Sequence, residues 1–151
     1  MKLRTAKAAE PAVAALIATH FELMRTSSPE ESCHVMPADT LDKEGVHLLV
    51  IEEDAQVLAV GGIKEIEPGH GEIKSMHTSA DARGRGLARQ ILLALIDAAS
   101  SQGLTKLSLE TGSAPLFAPA RALYASEGFK DCAPFGDYVF DPHSVFMTRS
   151  I

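Results

Sequence analysis

The chain has 151 residues, of which 46% are hydrophobic and 23% charged, a balance typical of a globular protein with its own core. Its formal net charge of −6 argues against non-specific binding to nucleic acid or to an anionic membrane. Because no apolar run approaches the roughly 18 residues of a membrane span, and Cys33 and Cys132 suggest neither a disulfide framework nor a CxxC pair, we expect a single cytoplasmic domain over residues 1–151.

A helix is the first predicted element. The short apolar run in the first twenty residues is interrupted by Glu10 and Pro11, which is typical of an amphipathic helix and not of a signal peptide. Residues 9–25 carry a stripe of helical period, formed by Val13, Leu16, Ile17, Phe21 and Met24. The polar residues 26–45 include two prolines and predict a loop with at most a short helical piece.

Three strands are predicted next, over residues 47–52, 57–66 and 72–78. Their connections are short, which favours an antiparallel meander. From Leu87 the apolar spacing changes to that of a helix, which ends near Gly103. Residues 104–111 alternate as a strand, residues 117–127 have a helical pattern, and the remainder predicts one or two more strands. This order indicates a mixed α/β (α+β) sheet with helices on its faces.

The segment ARGRGLA connects the predicted strand 72–78 to the helix that starts near Leu87. A helix N-terminus offers unpaired N–H groups to an anion, and glycine lets a ligand approach the backbone closely. Arginines beside the glycines can pair with phosphate oxygens. The segment therefore predicts a pyrophosphate site, while a glycine turn with solvated arginines is the simpler alternative.

Two other nucleotide sites can be compared with this segment. The chain has no GxxxxGK followed by Ser or Thr, which excludes a P-loop. A dinucleotide fingerprint, GxGxxG, would place a small residue where the chain has Arg89, although Glu110 imitates the ribose-binding carboxylate. A dinucleotide-binding oxidoreductase therefore stays open as a less favoured alternative.

Residues 83–88 fit the pattern Gln/Arg-x-x-Gly-x-Gly/Ala, and residues 120–129 fit Ala-x-x-Leu-Tyr-x-x-x-Gly-Phe. In this context the chain resembles the GCN5-related N-acetyltransferase (GNAT) superfamily, and within it a subgroup of small bacterial acetyltransferases. The resemblance implies a mixed sheet of about six to seven strands flanked by about four helices. It also implies transfer of acetyl from acetyl-CoA to an amine, with no metal.

The same resemblance implies where acetyl-CoA binds. The two parallel strands would hold the pantetheine arm between them, with backbone groups of Met76 and Thr78 as partners. His77 lies beside the expected acetyl site, although strand alternation turns its side chain to the opposite face. The expected pyrophosphate site comprises Arg83, Gly84, Arg85, Gly86, Leu87 and Ala88. One departure is Phe117, which stands where many relatives have an asparagine that contacts the cofactor arm.

Three residues are candidates for the proton transfers. Tyr124 matches the tyrosine that often protonates the departing thiolate in the family. Glu72 and Glu110 lie at the ends of the two parallel strands and are alternative bases, each of which is also explained as an ordinary strand-end charge.

His34 and Tyr138 are candidate contacts for a small-molecule amine acceptor. A homodimer is expected from the family alone. A non-catalytic acyl-CoA sensor remains the main functional alternative, because such a protein would keep the same cofactor site.

Overall fold

A computed structural model of the chain describes residues 1–29 and 34–151, so Cys33 lies outside the described residues. Within these ranges the strands are β1 (Lys2–Ala6), β2 (His47–Glu53), β3 (Gln56–Glu67), β4 (His70–Thr78), β5 (Lys106–Gly112), β6 (Lys130–Asp131) and β7 (Ser144–Ser150). The α-helices are α1 (Pro11–Ser27), α2 (Ala38–Lys43), α3 (Leu87–Ser101) and α4 (Ala118–Ser126). The predicted mixed α/β class, with a sheet of six to seven strands and four helices, is confirmed.

The strands form one sheet in the order β1-β2-β3-β4-β5-β7-β6. The predicted antiparallel meander of β2, β3 and β4 is confirmed, and β4 and β5 run parallel. The turn between β2 and β3 uses Asp54 and Ala55 in the left-handed region, with φ of 52° and 64°. Because α3 makes the crossover from β4 to β5, the carboxyl ends of these two strands open at the same edge.

The start of the chain differs from the prediction, because a strand precedes the first helix. β1 pairs antiparallel with β2 at the edge of the sheet, where Arg4 forms salt bridges with Glu10 at 2.8 Å and Glu52 at 3.0 Å. Charged residues such as Lys2 and Arg4 are typical of short edge strands, and they remove the apolar alternation that would have predicted one.

The core is divided between the two faces of the sheet. On β2, Leu48 and Val50 belong to one buried cluster with Ile17 of α1, whereas Leu49 and Ile51 belong to a second cluster. The second cluster contains the buried stripe of α3, formed by Leu87, Ile91, Leu92, Leu95, Ile96 and Ala99. The helices α1 and α3 therefore cover opposite faces of the sheet. Among the described residues, no helix combines the length and apolarity that a membrane span requires.

Candidate active site

The site lies where the parallel ladder of β4 and β5 ends. Ile73 and Leu109 form its last pair, and the residues beyond them line two adjoining cavities. The pairing of β3 with β4 shifts register beside this opening. Val60 pairs with His77 and Gly62 with Lys74, so that two residue steps along β3 oppose three along β4. Ser75, with φ of 58°, lies in this bulge, which interrupts the backbone ladder beside both cavities.

Phe117 forms part of the wall between the cavities. It lies in the short helical turn before α4, is 8% exposed and lines both cavities. A Cβ added at Gly112 would lie 2.1 Å from the Phe117 ring, so only glycine at the end of β5 allows this packing. Phe117 is therefore an apolar wall where the resemblance implies a polar asparagine contact.

The larger cavity, which we name the cofactor cleft, has a volume of about 460 Å³. Eight of the nine predicted cofactor residues line it, namely Met76, His77, Thr78, Arg83, Gly84, Gly86, Leu87 and Ala88. Arg85 does not line the cleft, because its guanidinium donates to Glu53 Oε2 at 3.0 Å. Leu87 is 1% exposed, and its side chain packs in the core beneath the cleft.

The glycines of the cofactor cleft lie at the N-terminus of α3. Gly84 and Gly86 have φ of 79° and 77°, a region that favours glycine. Gly86 caps α3 with no side-chain hydrogen bond, and the first helical bond runs from Gln90 N to Gly86 O at 3.1 Å. The preceding N–H groups of the first turn therefore face outward as donors for an anion. Arg83 forms no ion pair with any residue that the structure describes.

Tyr124 lies where the two cavities meet and lines both of them. It is 5% exposed, and its ring packs edge-on against Phe129 with centroids 6.0 Å apart. Burial raises the pKa of the phenol, so the hydroxyl keeps its proton at neutral pH. The hydroxyl makes no hydrogen bond to another described residue, which leaves its proton available to a ligand.

The smaller cavity, which we name the acceptor cavity, has a volume of about 120 Å³ and contains both predicted carboxylates. Glu72 is 6% exposed and has partners at both oxygens: Tyr138 donates its hydroxyl to Oε2 at 2.5 Å, and Lys74 lies 3.4 Å from Oε1. His34 also lines this cavity, with its ring edge-on to Tyr138 at 5.0 Å. The structure thus brings together two carboxylates and both predicted acceptor contacts.

Glu110 differs from Glu72 in its surroundings. Ser144 donates to Glu110 Oε2 at 2.7 Å, and no described side chain hydrogen-bonds the other oxygen. Burial raises the pKa of Glu110, while the Ser144 hydrogen bond and the nearby His34 act in the opposite direction. A carboxyl with a raised pKa and a free oxygen at a cavity is suited to accept a proton.

Sequence reasoning missed one buried polar residue of the site, His20 on α1. His20 lines both cavities and continues the buried stripe of Val13, Leu16 and Ile17. A histidine at an apolar stripe position is a signal that could have identified it. Among the described residues, no group of three or more His, Cys, Asp or Glu side chains is placed to hold a metal ion.

Comparison with known proteins gives consistent matches. Residues 14–129 match the model of the Acetyltransferase (GNAT) family. The chain is 42% identical over 139 residues to the N-acetyltransferase YsnE of Bacillus subtilis, which covers 92% of each chain. It is 38% identical over 149 residues to the N-acetyltransferase YedL of Escherichia coli, covering 99% of this chain and 94% of that one. A crystal structure from Klebsiella pneumoniae, of a protein named as an acyl-CoA N-acyltransferase, superimposes with a TM-score of 0.80 at 27% identity, covering 99% and 96% of the chains.

Proposed function

Because this chain belongs to the acetyltransferase (GNAT) family and is an acyl-CoA-dependent N-acetyltransferase, we propose that its acetyl acceptor is the amine of a small molecule. The observation that carries this proposal is the acceptor cavity, which adjoins the cofactor cleft and contains Glu110. Its volume of about 120 Å³ is large enough for a small amine. Two carboxylates in this cavity favour an acceptor that arrives as a cation.

The cofactor cleft would bind acetyl-CoA mainly through the backbone. The N–H groups of residues 83–88 would hold the pyrophosphate, with the guanidinium of Arg83 beside it. The bulge at Ser75 takes Ser75 and Met76 out of the ladder with β3, and Met76 lines both cavities. We assign the backbone N–H of Met76 to the thioester carbonyl oxygen, where it would stabilise the developing negative charge.

Glu110 is the proposed general base. Its raised pKa brings a carboxylate closer to the range in which a base is effective, and one oxygen has no donor among the described side chains. An acceptor that arrives as an ammonium would first release one proton to solvent, and Glu110 would then take the proton that the neutral nitrogen loses as the new amide bond forms. Glu72 already has partners at both oxygens, which favours a role in shaping the cavity with Tyr138 and Lys74.

Tyr124 is the proposed general acid. When the carbon–sulfur bond breaks, its phenol would give a proton to the departing thiolate. A phenol is protonated at neutral pH, burial raises the pKa of Tyr124 further, and the hydroxyl belongs to a residue that lines both cavities. After turnover the phenolate would recover a proton from Glu110 or solvent, so that the net change is transfer of one proton from nitrogen to sulfur.

The test begins with calorimetric titration of the purified protein with acetyl-CoA, and with NADH as the matched alternative. Thiol release is then measured with acetyl-CoA and a panel of small primary amines. We expect acetyl-CoA to bind, NADH not to bind, and at least one amine to release thiol. Tight binding without release from any amine would favour a non-catalytic acyl-CoA sensor over the proposed activity.

The two carboxylates are distinguished with the acceptor that this panel identifies. Glu110→Gln should lower kcat about 100-fold, the lower end of the range for loss of a general base. Glu72→Gln should mainly raise the KM for the amine, because Glu72 lies in the acceptor cavity without a free oxygen. The reverse pattern would assign the base to Glu72.

A further inference from the structure

His20 of α1 and His77 of β4 contact each other across one face of the sheet. Their Nδ1 atoms are 3.1 Å apart, and their rings meet edge-on with centroids 5.0 Å apart. His20 is 9% exposed. The pair is a direct hydrogen bond between two imidazoles, and the mechanism proposed above uses neither of them.

The pair joins the two cavities. His20 lines the acceptor cavity and the cofactor cleft, whereas His77 lines the cofactor cleft alone. The other titratable groups that line these cavities are His34, Glu72, Lys74, Glu110, Tyr124 and Tyr138 on the acceptor side, and Arg83 and Tyr124 on the cofactor side. His20 is therefore the only histidine that borders both cavities among the residues that the structure describes.

The surroundings of both imidazoles favour the neutral form. Burial lowers the pKa of His20 to about 4, with a smaller contribution from His77. Burial and the charge of Arg83 lower the pKa of His77. Two neutral imidazoles joined at Nδ1 share one proton there, so the donor ring has a bare Nε2 and the acceptor ring has an Nε2–H. The pair thus presents one lone pair and one N–H at its opposite ends.

The chemistry of the two ligands selects between the tautomers. An attacking amine brings N–H donors, while acetyl-CoA brings carbonyl and phosphate oxygens as well as the amide N–H groups of its pantetheine arm. A bare Nε2 on His20 suits the amine, and an Nε2–H on His77 suits oxygens in the cofactor cleft. The arrangement in which His20 donates its Nδ1–H to His77 leaves a lone pair for the amine and an N–H for an oxygen of the cofactor.

We propose that His20 orients the attacking amine by accepting one of its N–H groups at Nε2, and that His77 is the positioning residue that fixes the tautomer of His20. This inference rests on the proposed amine acceptor. In this position, where the acceptor cavity meets the cofactor cleft, His20 would hold the amine with its lone pair directed at the acetyl carbon. The rate of transfer depends on that geometry.

The tautomer is tested by nitrogen NMR of protein with ¹⁵N-labelled histidine, in its complex with acetyl-CoA. His20→Phe and His77→Asn assign the two sets of ring signals. We expect His20 to be protonated at Nδ1 and bare at Nε2, and His77 to be protonated at Nε2. A complex in which His20 carries its proton on Nε2 would overturn the proposal, and this measurement needs no amine.

The role is tested by kinetics with the amine that the thiol-release panel identifies. His20→Phe keeps a ring of similar shape and should lower kcat about 10-fold to 100-fold, the size of effect expected from a misplaced nucleophile. Its dissociation constant for acetyl-CoA should stay within about twofold of the parent's. His20→Gln, whose amide oxygen reaches towards the Nε2 position, should recover part of the rate.

Matched variants of the partner separate positioning from packing. His77→Asn keeps an acceptor near the Nδ1 position and should retain most of kcat, whereas His77→Leu should lose as much as His20→Phe. Equal losses in both His77 variants, or a His20→Phe protein that loses acetyl-CoA affinity in proportion to its rate, would assign the pair a structural role. If the parent protein releases no thiol with any amine, the proposed function itself fails. Loss of activity in the variants alone tests only the role of the histidine pair.

Discussion

The cofactor cleft and the acceptor cavity adjoin each other but are built differently. The cleft presents backbone N–H groups at the N-terminus of α3, with Gly84 and Gly86 in the left-handed region. The acceptor cavity presents side chains, with Glu72 and Glu110 from the two strands and Tyr138 from the segment before β7. A backbone site depends on a few consecutive residues, while a side-chain site depends on the whole fold. The difference predicts that substitutions in the two cavities will have separable effects.

Replacing Tyr124 should have the largest effect, because Tyr124 belongs to both cavities. Tyr124→Phe removes the hydroxyl from a ring that is otherwise buried, and it should lower kcat about 100-fold or more by loss of a general acid. The affinity for acetyl-CoA should change little. Steady-state kinetics and calorimetric titration measure the two quantities separately.

The chain supplies its own control, because its second tyrosine is Tyr138. Tyr138→Phe removes the hydrogen bond to Glu72 and should raise the KM for the amine more than it lowers kcat. If Tyr124→Phe retains full kcat while Tyr138→Phe loses it, the acid has been assigned to the wrong cavity.

Replacing Gly86 should affect the cofactor cleft alone. Gly86→Ala forces a Cβ into a backbone with φ of 77° and places it where the pyrophosphate would approach. Losing a charge-assisted hydrogen bond of about 1.5–3 kcal/mol corresponds to roughly a 10-fold to 100-fold weaker affinity for acetyl-CoA. Calorimetric titration measures the loss.

Gly45→Ala is the matched control for Gly86→Ala. Gly45 has φ of 71° and, like Gly86, no heavy atom of the described residues within 4 Å of an added Cβ, but it lies before β2 outside both cavities. Each variant should lose similar stability, about 1–2 kcal/mol from the left-handed backbone. Unchanged affinity in Gly86→Ala, or an equal loss of affinity in both variants, would place the pyrophosphate elsewhere.

The same difference explains how much could be predicted from the sequence. The cofactor cleft is encoded by a short run from Arg83 to Ala88 at a strand-to-helix junction, and eight of the nine residues predicted for it line the cleft. Arg85 was the exception, because its partner, Glu53, lies at the end of β2 and no local pattern reveals that pairing. The meander and α3 were predictable from periodicity, whereas the charged edge strand β1 was not.

The acceptor cavity was predictable only in part. Glu72 was predicted from the family resemblance, at the start of its strand, and Glu110 from its place near the carboxyl end of the neighbouring strand. Their different hydrogen bonds depend on Tyr138, Lys74 and Ser144. The apolar stripe of α1 could have shown that His20 is buried, but its contact with His77, 57 residues away along the chain, could not be predicted. Long-range side-chain contacts of this kind leave no local signature in one sequence.

Replacing Gly112 should change the wall between the cavities. Gly112→Ala places a Cβ within 2.1 Å of Phe117, which must move or be strained. Overpacking of this kind costs about 1–3 kcal/mol. A displaced Phe117 would alter both cavities, so we expect thermal denaturation to show lower stability and kinetics to show raised KM values for both substrates.

Phe117→Leu relieves the clash and is the matched partner of Gly112→Ala. The double variant should recover part of the stability that Gly112→Ala loses, because Leu is smaller than Phe at the same contact. Additive losses in the double variant would mean that Phe117 does not form the wall.

Replacing Ser144 should have the smallest effect and gives a direct test of Glu110. Burial disfavours the charged carboxylate and raises the pKa of Glu110, so the acid limb of kcat/KM should lie above the ordinary range of a glutamate. The Ser144 hydroxyl donates to the carboxylate and partly opposes that shift. Ser144→Ala removes this stabilisation of the charged form, so the pKa of Glu110 rises further and the acid limb moves to higher pH, with little change in the rate at the plateau.

Ser113→Ala is the control, because Ser113 donates to Pro142 O at 2.8 Å at the same end of β5 and does not contact the carboxyl of Glu110. A limb that stays in place in Ser144→Ala, or that moves to lower pH, would mean that the titrating base is not Glu110.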